Sequence, residues 1–331
     1  MGSAMATDVI LPPHAADFLA AQGWGEATVT AIPGDASARR YYRAKRGSDE
    51  AILMHAPPPG EDPRPFIHVG QWLVERGFAA PVIHGCDLDH GFLLLQDFGD
   101  VRMRETIDAS PERAQALYET AIDVLVDLAR HPAGPFEAYD HAVLRREADL
   151  LVEWYCPAVG VQADAESYHA AWDQVFSLAL AAEPVTVLRD YHAENLMLIG
   201  ENGGRLGLLD FQDALAGHPA YDLVSLLQDA RRDVAPETEA AMYARYRAAT
   251  NAGEDFEAAY HVLGAQRNAK IVGIFTRLWK RDGKERYPAL CPRVWRYLER
   301  DLAHPALAPV KIWFDATIPA EKRGDPMTLQ A

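Results

Sequence analysis

Leu188-Arg189-Asp190-Tyr191-His192-Ala193-Glu194-Asn195, followed fifteen residues later by Asp210-Phe211-Gln212, is the stretch that decides how this chain is read. An Asp, an Asn five residues on, and a second Asp after an apolar strand are what phosphoryl transfer from a nucleotide requires. One carboxylate takes the proton of an attacking hydroxyl, while an amide oxygen and a second carboxylate hold a divalent cation against the phosphates. Between the two motifs, Leu196–Ile199 and Leu206–Asp210 flank Glu201-Asn202-Gly203-Gly204, the pattern of a β-hairpin. Such a hairpin lets Asp190, Asn195 and Asp210 converge. The rival reading of the same residues is a capped turn and a solvated strand end.

On the N-terminal side the pattern is strand-rich. A helix over Leu11–Gln22 precedes strands at Trp24–Ile32, Arg39–Ala44 and Ala51–His55. A proline-rich loop from Pro57 to Pro65 leads into a helix over Phe66–Arg76, with Gly77 as its C-terminal cap. Strands at Val82–Cys86 and Gly91–Gln96 close the region, giving a five-stranded antiparallel sheet carrying one helix. Helices dominate from Asp108 onward: Ser110–Arg130, His141–Tyr155, Ser167–Ala182, Tyr221–Arg231, Pro236–Asn251, Phe256–Trp279 and Cys291–Leu302. The hairpin is read as embedded among them. The expected class is α+β, with a nucleotide-binding lobe over 6–97, a helical lobe over 98–316 and a loose polar tail over 317–331.

A chain of 331 residues, 49% hydrophobic and 24% charged, buries a sizeable core, which excludes wholesale disorder and a disulfide mini-scaffold. The net charge of -16 argues against a nucleic-acid partner, which needs a basic footprint. Cys86, Cys156 and Cys291 are odd in number and far apart, so neither a disulfide framework nor a structural zinc site is expected. No apolar run approaches the ~20 residues of a membrane span, and the N-terminus lacks the basic start and apolar core of a signal peptide. The expected setting is the cytoplasm, with no membrane association and no obligate protein partner.

With these motifs in that order, the chain resembles the protein-kinase-like fold, specifically its aminoglycoside phosphotransferase and choline kinase branch. Small-molecule kinases of that branch carry H-G-D-x-H-x-x-N; here Leu188 and Arg189 replace the first two residues, and Asp190, His192 and Asn195 match. Gln212 stands where D-F-G has its Gly. The resemblance implies a bilobal architecture, with a small five-stranded antiparallel N-lobe and a large helical C-lobe. It also implies ATP and Mg²⁺ as cofactors, Asp190 as the base, and Asn195 and Asp210 as metal ligands. Asp222 has two readings, a brace for the catalytic loop or a plain helix cap. His192 and His218 suggest a metal site only weakly, since an Asp/Asn set suits a hard cation better.

The phosphate loop falls between the first two strands, at Gly34-Asp35-Ala36-Ser37-Ala38-Arg39-Arg40-Tyr41. Gly34 lets the backbone approach phosphate and Ser37 adds a hydroxyl donor. The third strand lacks the expected Lys: none lies between Lys45 and Lys270. The following helix has no carboxylate before Glu75. Arg39, Arg40 and Arg64 are the available substitutes, and alternation along a strand lets only one of Arg39 and Arg40 face the nucleotide.

Asp35-Ala36-Ser37-Ala38-Arg39-Arg40-Tyr41-Tyr42-Arg43, Leu53-Met54-His55-Ala56-Pro57-Pro58 and Arg64-Pro65-Phe66 resemble the anomeric kinases of cell-wall amino sugars. Those enzymes phosphorylate the C1 hydroxyl of N-acetylmuramate and N-acetylglucosamine. On this resemblance the backbone around Gln96 to Phe98 binds adenine. A sugar acceptor then needs carboxylates, an aromatic plate and, for an acid-bearing sugar, a cation. Glu147 and Trp154 on one helix face, His192, and Arg267 in Gln266-Arg267-Asn268-Ala269-Lys270 are the expected set. The alternatives are an aminoglycoside or choline-type acceptor, and a nucleotide-binding pseudokinase or scaffold, which the missing Lys motivates.

Overall fold

The computed structural model describes residues 10–33, 38–200 and 204–329. They form two compact units: residues up to Thr106 together with Glu194–Asp213, and Ile107–Ala193 together with Ala214 onward.

In the first unit β1 (Thr28–Ile32), β2 (Arg40–Arg46), β3 (Asp49–His55), β4 (Ile83–Asp87) and β5 (Phe92–Gln96) form one antiparallel sheet. Their order is β1-β2-β3-β5-β4. Alternation sets its inner face: Tyr42 and Ala44 of β2, Ala51 and Leu53 of β3, and Phe92 and Leu94 of β5 share a core with Ala15, Phe18 and Leu19 of the helix Ala15–Ala21. The helix Arg64–Glu75 buries Phe66, Val69, Trp72 and Leu73. Phe66 stacks on Phe211, ring centroids 4.8 Å apart, and a Cβ on Gly70 would stand 3.4 Å from that same ring. This helix therefore seats the segment that carries Asp210.

The hairpin β7 (Leu196–Ile199) and β8 (Arg205–Leu208) belongs to this first unit, not to the helical part in which the sequence reading embedded it. Its backbone is already committed there. Leu208 N–H donates to Ala79 C=O at 2.8 Å, Leu198 N–H to Val101 C=O at 2.8 Å, and the Arg205 guanidinium to Gly77 C=O at 2.6 Å. The same bonds explain why the unit runs on to Thr106, beyond the expected boundary at residue 97.

The second unit is built round the helix Asp255–Asp282. It is buried on several sides, through Ala259, Leu263, Val272 and Phe275 among others, because helices surround it. At Gly273 an added Cβ would lie 2.3 Å from the backbone of Leu150, so only glycine permits that crossing. The helix His141–Leu150 changes there into a π-helical turn, Leu151–Tyr155, in place of the continuous α-helix expected to Tyr155. The helix expected over Ser167–Ala182 also breaks, ending at Asp173 before a short turn of helix at Phe176–Ala179. A small ladder pairs β6 (Val185–Val187) with β9 (Leu215–Gly217), the latter too short to read in the sequence.

The tail from Thr317 is not loose over its described residues. Ile318 is fully buried, and Arg323 donates to the carbonyls of Ile318 and Phe314 at 2.9 and 3.0 Å. The Tyr155 hydroxyl donates to Lys322 C=O at 2.7 Å and accepts from Gly324 N–H at 2.8 Å. Polar composition suggested solvent; here the polar groups meet a buried phenol and backbone. Among the described residues no helix is long and apolar enough to cross a membrane.

Candidate active site

Asp190 follows β6 on a tight turn whose backbone is held from three directions. Its own N–H donates to Leu188 C=O at 2.9 Å. The Asp222 carboxylate accepts from the N–H groups of Leu188 and Arg189, at 2.6 and 2.9 Å. Ser225 Oγ donates to the Arg189 carbonyl at 3.2 Å, and Arg267 in turn donates to Ser225 Oγ at 2.7 Å. Asp222 is thus a brace for this loop; the helix cap that was its other reading is Pro219. Burial pushes the Asp222 carboxyl up to about 7, against the two N–H groups and the Arg267 charge, which pull it down.

Arg189 has φ +70°, a left-handed conformation that costs a non-glycine residue roughly 1–2 kcal/mol. Gly occupies this place in H-G-D, and the geometry shows why. What holds an arginine here is its side chain, which is ion-paired with Glu147. Glu147 also receives Lys270 Nζ at 2.8 Å and the Tyr139 hydroxyl. Burial would raise the Glu147 carboxyl, but Lys270 and Arg189 outweigh it and hold the group at about 2, below its usual 4.5. Burial likewise opposes the Arg189 charge, and Glu147 outweighs it.

These contacts correct two expected acceptor residues. Glu147, 6% exposed, is occupied inside the unit by two cations and a phenol. Arg267, 4% exposed, is turned onto Ser225. Trp154 is half-buried and lies in the π turn, outside the regular α-helical register assumed with Glu147. His192 is buried, its Nε2 3.2 Å from Arg231 Nη1. His218 is a local cap, its Nδ1 accepting from Ala220 N–H at 3.1 Å, and burial pushes it down to about 4.

In the first unit Asn195 and Asp210 come together across the hairpin base. Leu209 N–H donates to Asn195 C=O at 3.0 Å. Asn195 Nδ2 lies 3.5 Å from Asp210 Oδ2, and Gln212 Nε2 donates to Asp210 Oδ1 at 2.8 Å. Asp210 is exposed, with φ +58°, and the buried Phe211 anchors its backbone. The Asp210 carboxylate, with the side-chain amide of Asn195 beside it, offers hard oxygen donors of the kind that fit Mg²⁺.

Of the two candidate arginines, Arg39 is the half-buried one. Its guanidinium pairs with Glu61 at 3.2 Å, the side chains 11% and 20% exposed. Tyr41 joins them: burial raises its hydroxyl, the Arg39 charge opposes this, and the Asp210 charge adds to it. Arg39 and Asp210 thus act on one phenol. Arg40 is exposed and opposite His55 in the β2–β3 register. Lys45 and Arg64 are exposed, on Glu50 and Asp62. Sequence reasoning missed Glu61, because it sits in the proline-rich loop while the search for a carboxylate followed the helix.

Gln96 ends β5, its N–H donating to Val82 C=O at 2.8 Å. Phe98 packs so closely on Gly207 that a Cβ there would stand 2.7 Å from the ring. Arg43 pins the intervening segment through Asp97 and Asp100, at 2.5 and 2.9 Å. Gly34 and Ser37 lie outside the described residues.

The residue types on the Asp190 turn of the helical unit and at the Asn195–Asp210 pair of the sheet-containing unit are those of a small-molecule phosphotransferase. The chain belongs to the phosphotransferase enzyme family, whose profile matches residues 28–260. Two particular relatives are the N-acetylmuramate/N-acetylglucosamine kinases of Caulobacter vibrioides and Pseudomonas aeruginosa. The first is 38% identical over 93% of this chain and 97% of its own, the second 41% over 88% and 90%. Among solved structures, ADP-bound aminoglycoside phosphotransferase APH(2'')-Ib superposes with a TM-score of 0.55 at 13% identity, over 82% of this chain and 92% of its own. The fold is protein-kinase-like, of the α+β class.

Proposed function

We propose that this chain transfers the γ-phosphoryl group of ATP to the anomeric C1 hydroxyl of N-acetylmuramate and N-acetylglucosamine. The observation that carries the reading is the 38% and 41% identity, across 93% and 88% of the chain, to two kinases named for those sugars. In this reading Asp190 orients the C1 hydroxyl and accepts its proton as the oxygen bonds to phosphorus. The bond to the β-phosphate oxygen breaks and ADP leaves with that electron pair. The Asp222 and Ser225 contacts keep the Asp190 turn from moving during the reaction, so its orientation is set in advance.

Asn195 and Asp210 would hold Mg²⁺. When bound, that ion would neutralise phosphate charge. Arg39, oriented by Glu61, stands in for the absent third-strand lysine and grips the phosphates; a guanidinium can hold two oxygens at once. The backbone from Gln96 to Phe98 receives adenine, and Gly34 and Ser37 belong to the phosphate loop. A cytoplasmic setting is part of the reading, in keeping with three free cysteines.

The test is ADP release with ATP and Mg²⁺ over a panel of N-acetylmuramate, N-acetylglucosamine, kanamycin and choline. Turnover on the two amino sugars alone is expected. Turnover on kanamycin or choline in their place, or on none of the four, would overturn the reading.

A further inference from the structure

N-acetylmuramate differs from N-acetylglucosamine by a lactyl ether on O3, which places a carboxylate two ring carbons from the reacting C1 hydroxyl. A protein of net charge -16 must provide a local cation for that acid. Most cations round the Asp190 turn are directed elsewhere. Arg189 and Lys270 converge on Glu147, and Arg267 is buried on Ser225. Arg232 reaches the Tyr118 hydroxyl at 3.0 Å and Asp108 at 3.2 Å.

Arg231 is directed at the catalytic loop. Its Nη1 lies 3.2 Å from Nε2 of His192, two residues beyond Asp190 and so within about 7 Å of chain. Because a guanidinium only donates, Nε2 accepts, and His192 carries its hydrogen on Nδ1. The imidazole therefore orients Arg231 without adding charge. The backbone is fixed as well: Arg231 N–H donates to Oδ1 of the buried Asp229 at 2.8 Å, and Arg293 reaches Ala230 C=O at 3.4 Å. Arg231 itself is half-buried, which strengthens a charge-assisted bond relative to open water.

We propose that Arg231 is the carboxylate-binding residue of the acceptor site, holding the lactyl acid of N-acetylmuramate with His192 as its support. This rests on the sugar-kinase reading above. The experiment separates the two by changing the ligand's charge as well as the protein's. kcat/KM is measured for N-acetylmuramate and for its neutral lactyl amide, on the wild type, Arg231→Met and Arg231→Lys. The wild type should prefer the acid. Arg231→Met should reduce the acid-to-amide ratio roughly 10- to 100-fold, mainly through KM for the acid, and Arg231→Lys should keep part of the preference.

An equal loss on acid and amide would make Arg231 a positioning residue for the Asp190 turn and overturn the proposal. So would a raised KM for ATP with the ratio unchanged, which would put Arg231 on the phosphates. If the wild type phosphorylates neither compound, the sugar-kinase reading fails, and calorimetry of acid and amide on wild type and Arg231→Met still decides the subsite. Acid binding lost with the guanidinium supports it; no dependence on ligand charge overturns it.

Discussion

Arg189 carries two opposed demands: its backbone is in a conformation that favours glycine, and its side chain must reach Glu147. The motif in the sequence marked Asp190, Asn195 and Asp210 because their chemistry depends on residue type and spacing. Glu147 was misjudged because periodicity gives a face but not what covers it, and its partner Lys270 lies 123 residues further on. Asp190→Asn should lower turnover ~10²–10⁴-fold while nucleotide affinity stays near wild type. A variant keeping more than about half the rate would remove Asp190 from the reaction. For Glu147 the prediction concerns pH. Its carboxyl is depressed from 4.5 to about 2 in the folded state, so its contribution is complete above about 4.5 and disappears as pH falls toward 2. The shift corresponds to roughly 3 kcal/mol. In urea titrations Glu147→Gln should be the less stable protein at pH 7, and the two stabilities should converge as pH falls below 4.5. A gap that stays constant across that range would contradict the ion-pair account.

At the scale of elements, the five strands and their order along the chain were legible, since alternation and turn residues dictate them locally. Three features were not. The π turn at Leu151–Tyr155 answers the close crossing at Gly273, a contact between distant helices. The anchoring of the tail depends on the Tyr155 phenol, far off in the sequence, and on Arg323. The Arg39–Glu61 pair joins β2's approach to a proline-rich loop, where no periodic pattern exists. Arg39→Ala should raise KM for ATP far more than KM for the acceptor, and Glu61→Ala should do the same more weakly, because it loosens the guanidinium without removing it. If neither change affects ATP kinetics, another group holds the phosphates. Tyr155→Phe should cost about 1 kcal/mol and make the peptide bonds after Lys322 more sensitive to protease. Unchanged melting and cleavage would show that the phenol does not hold the tail.

At the scale of the molecule, the strand-rich and helical regions were correctly told apart, but the line between them was not. A hairpin is local in sequence, and nothing in Leu196–Leu208 states which unit will take its free backbone edges; the bonds to Gly77, Ala79 and Val101 decide it. As a result Asp190 is carried by one compact unit and Asn195 and Asp210 by the other, a division that the motif alone conceals. The claim on which the account depends is that this set phosphorylates a sugar at its anomeric carbon. The direct measurement is ³¹P–¹H correlation NMR of the product from N-acetylglucosamine, ATP and Mg²⁺. The account predicts a phosphorus resonance correlated to H1 of the sugar. A correlation to the C6 protons, or no new phosphate ester with folded protein and ample ATP, would contradict it.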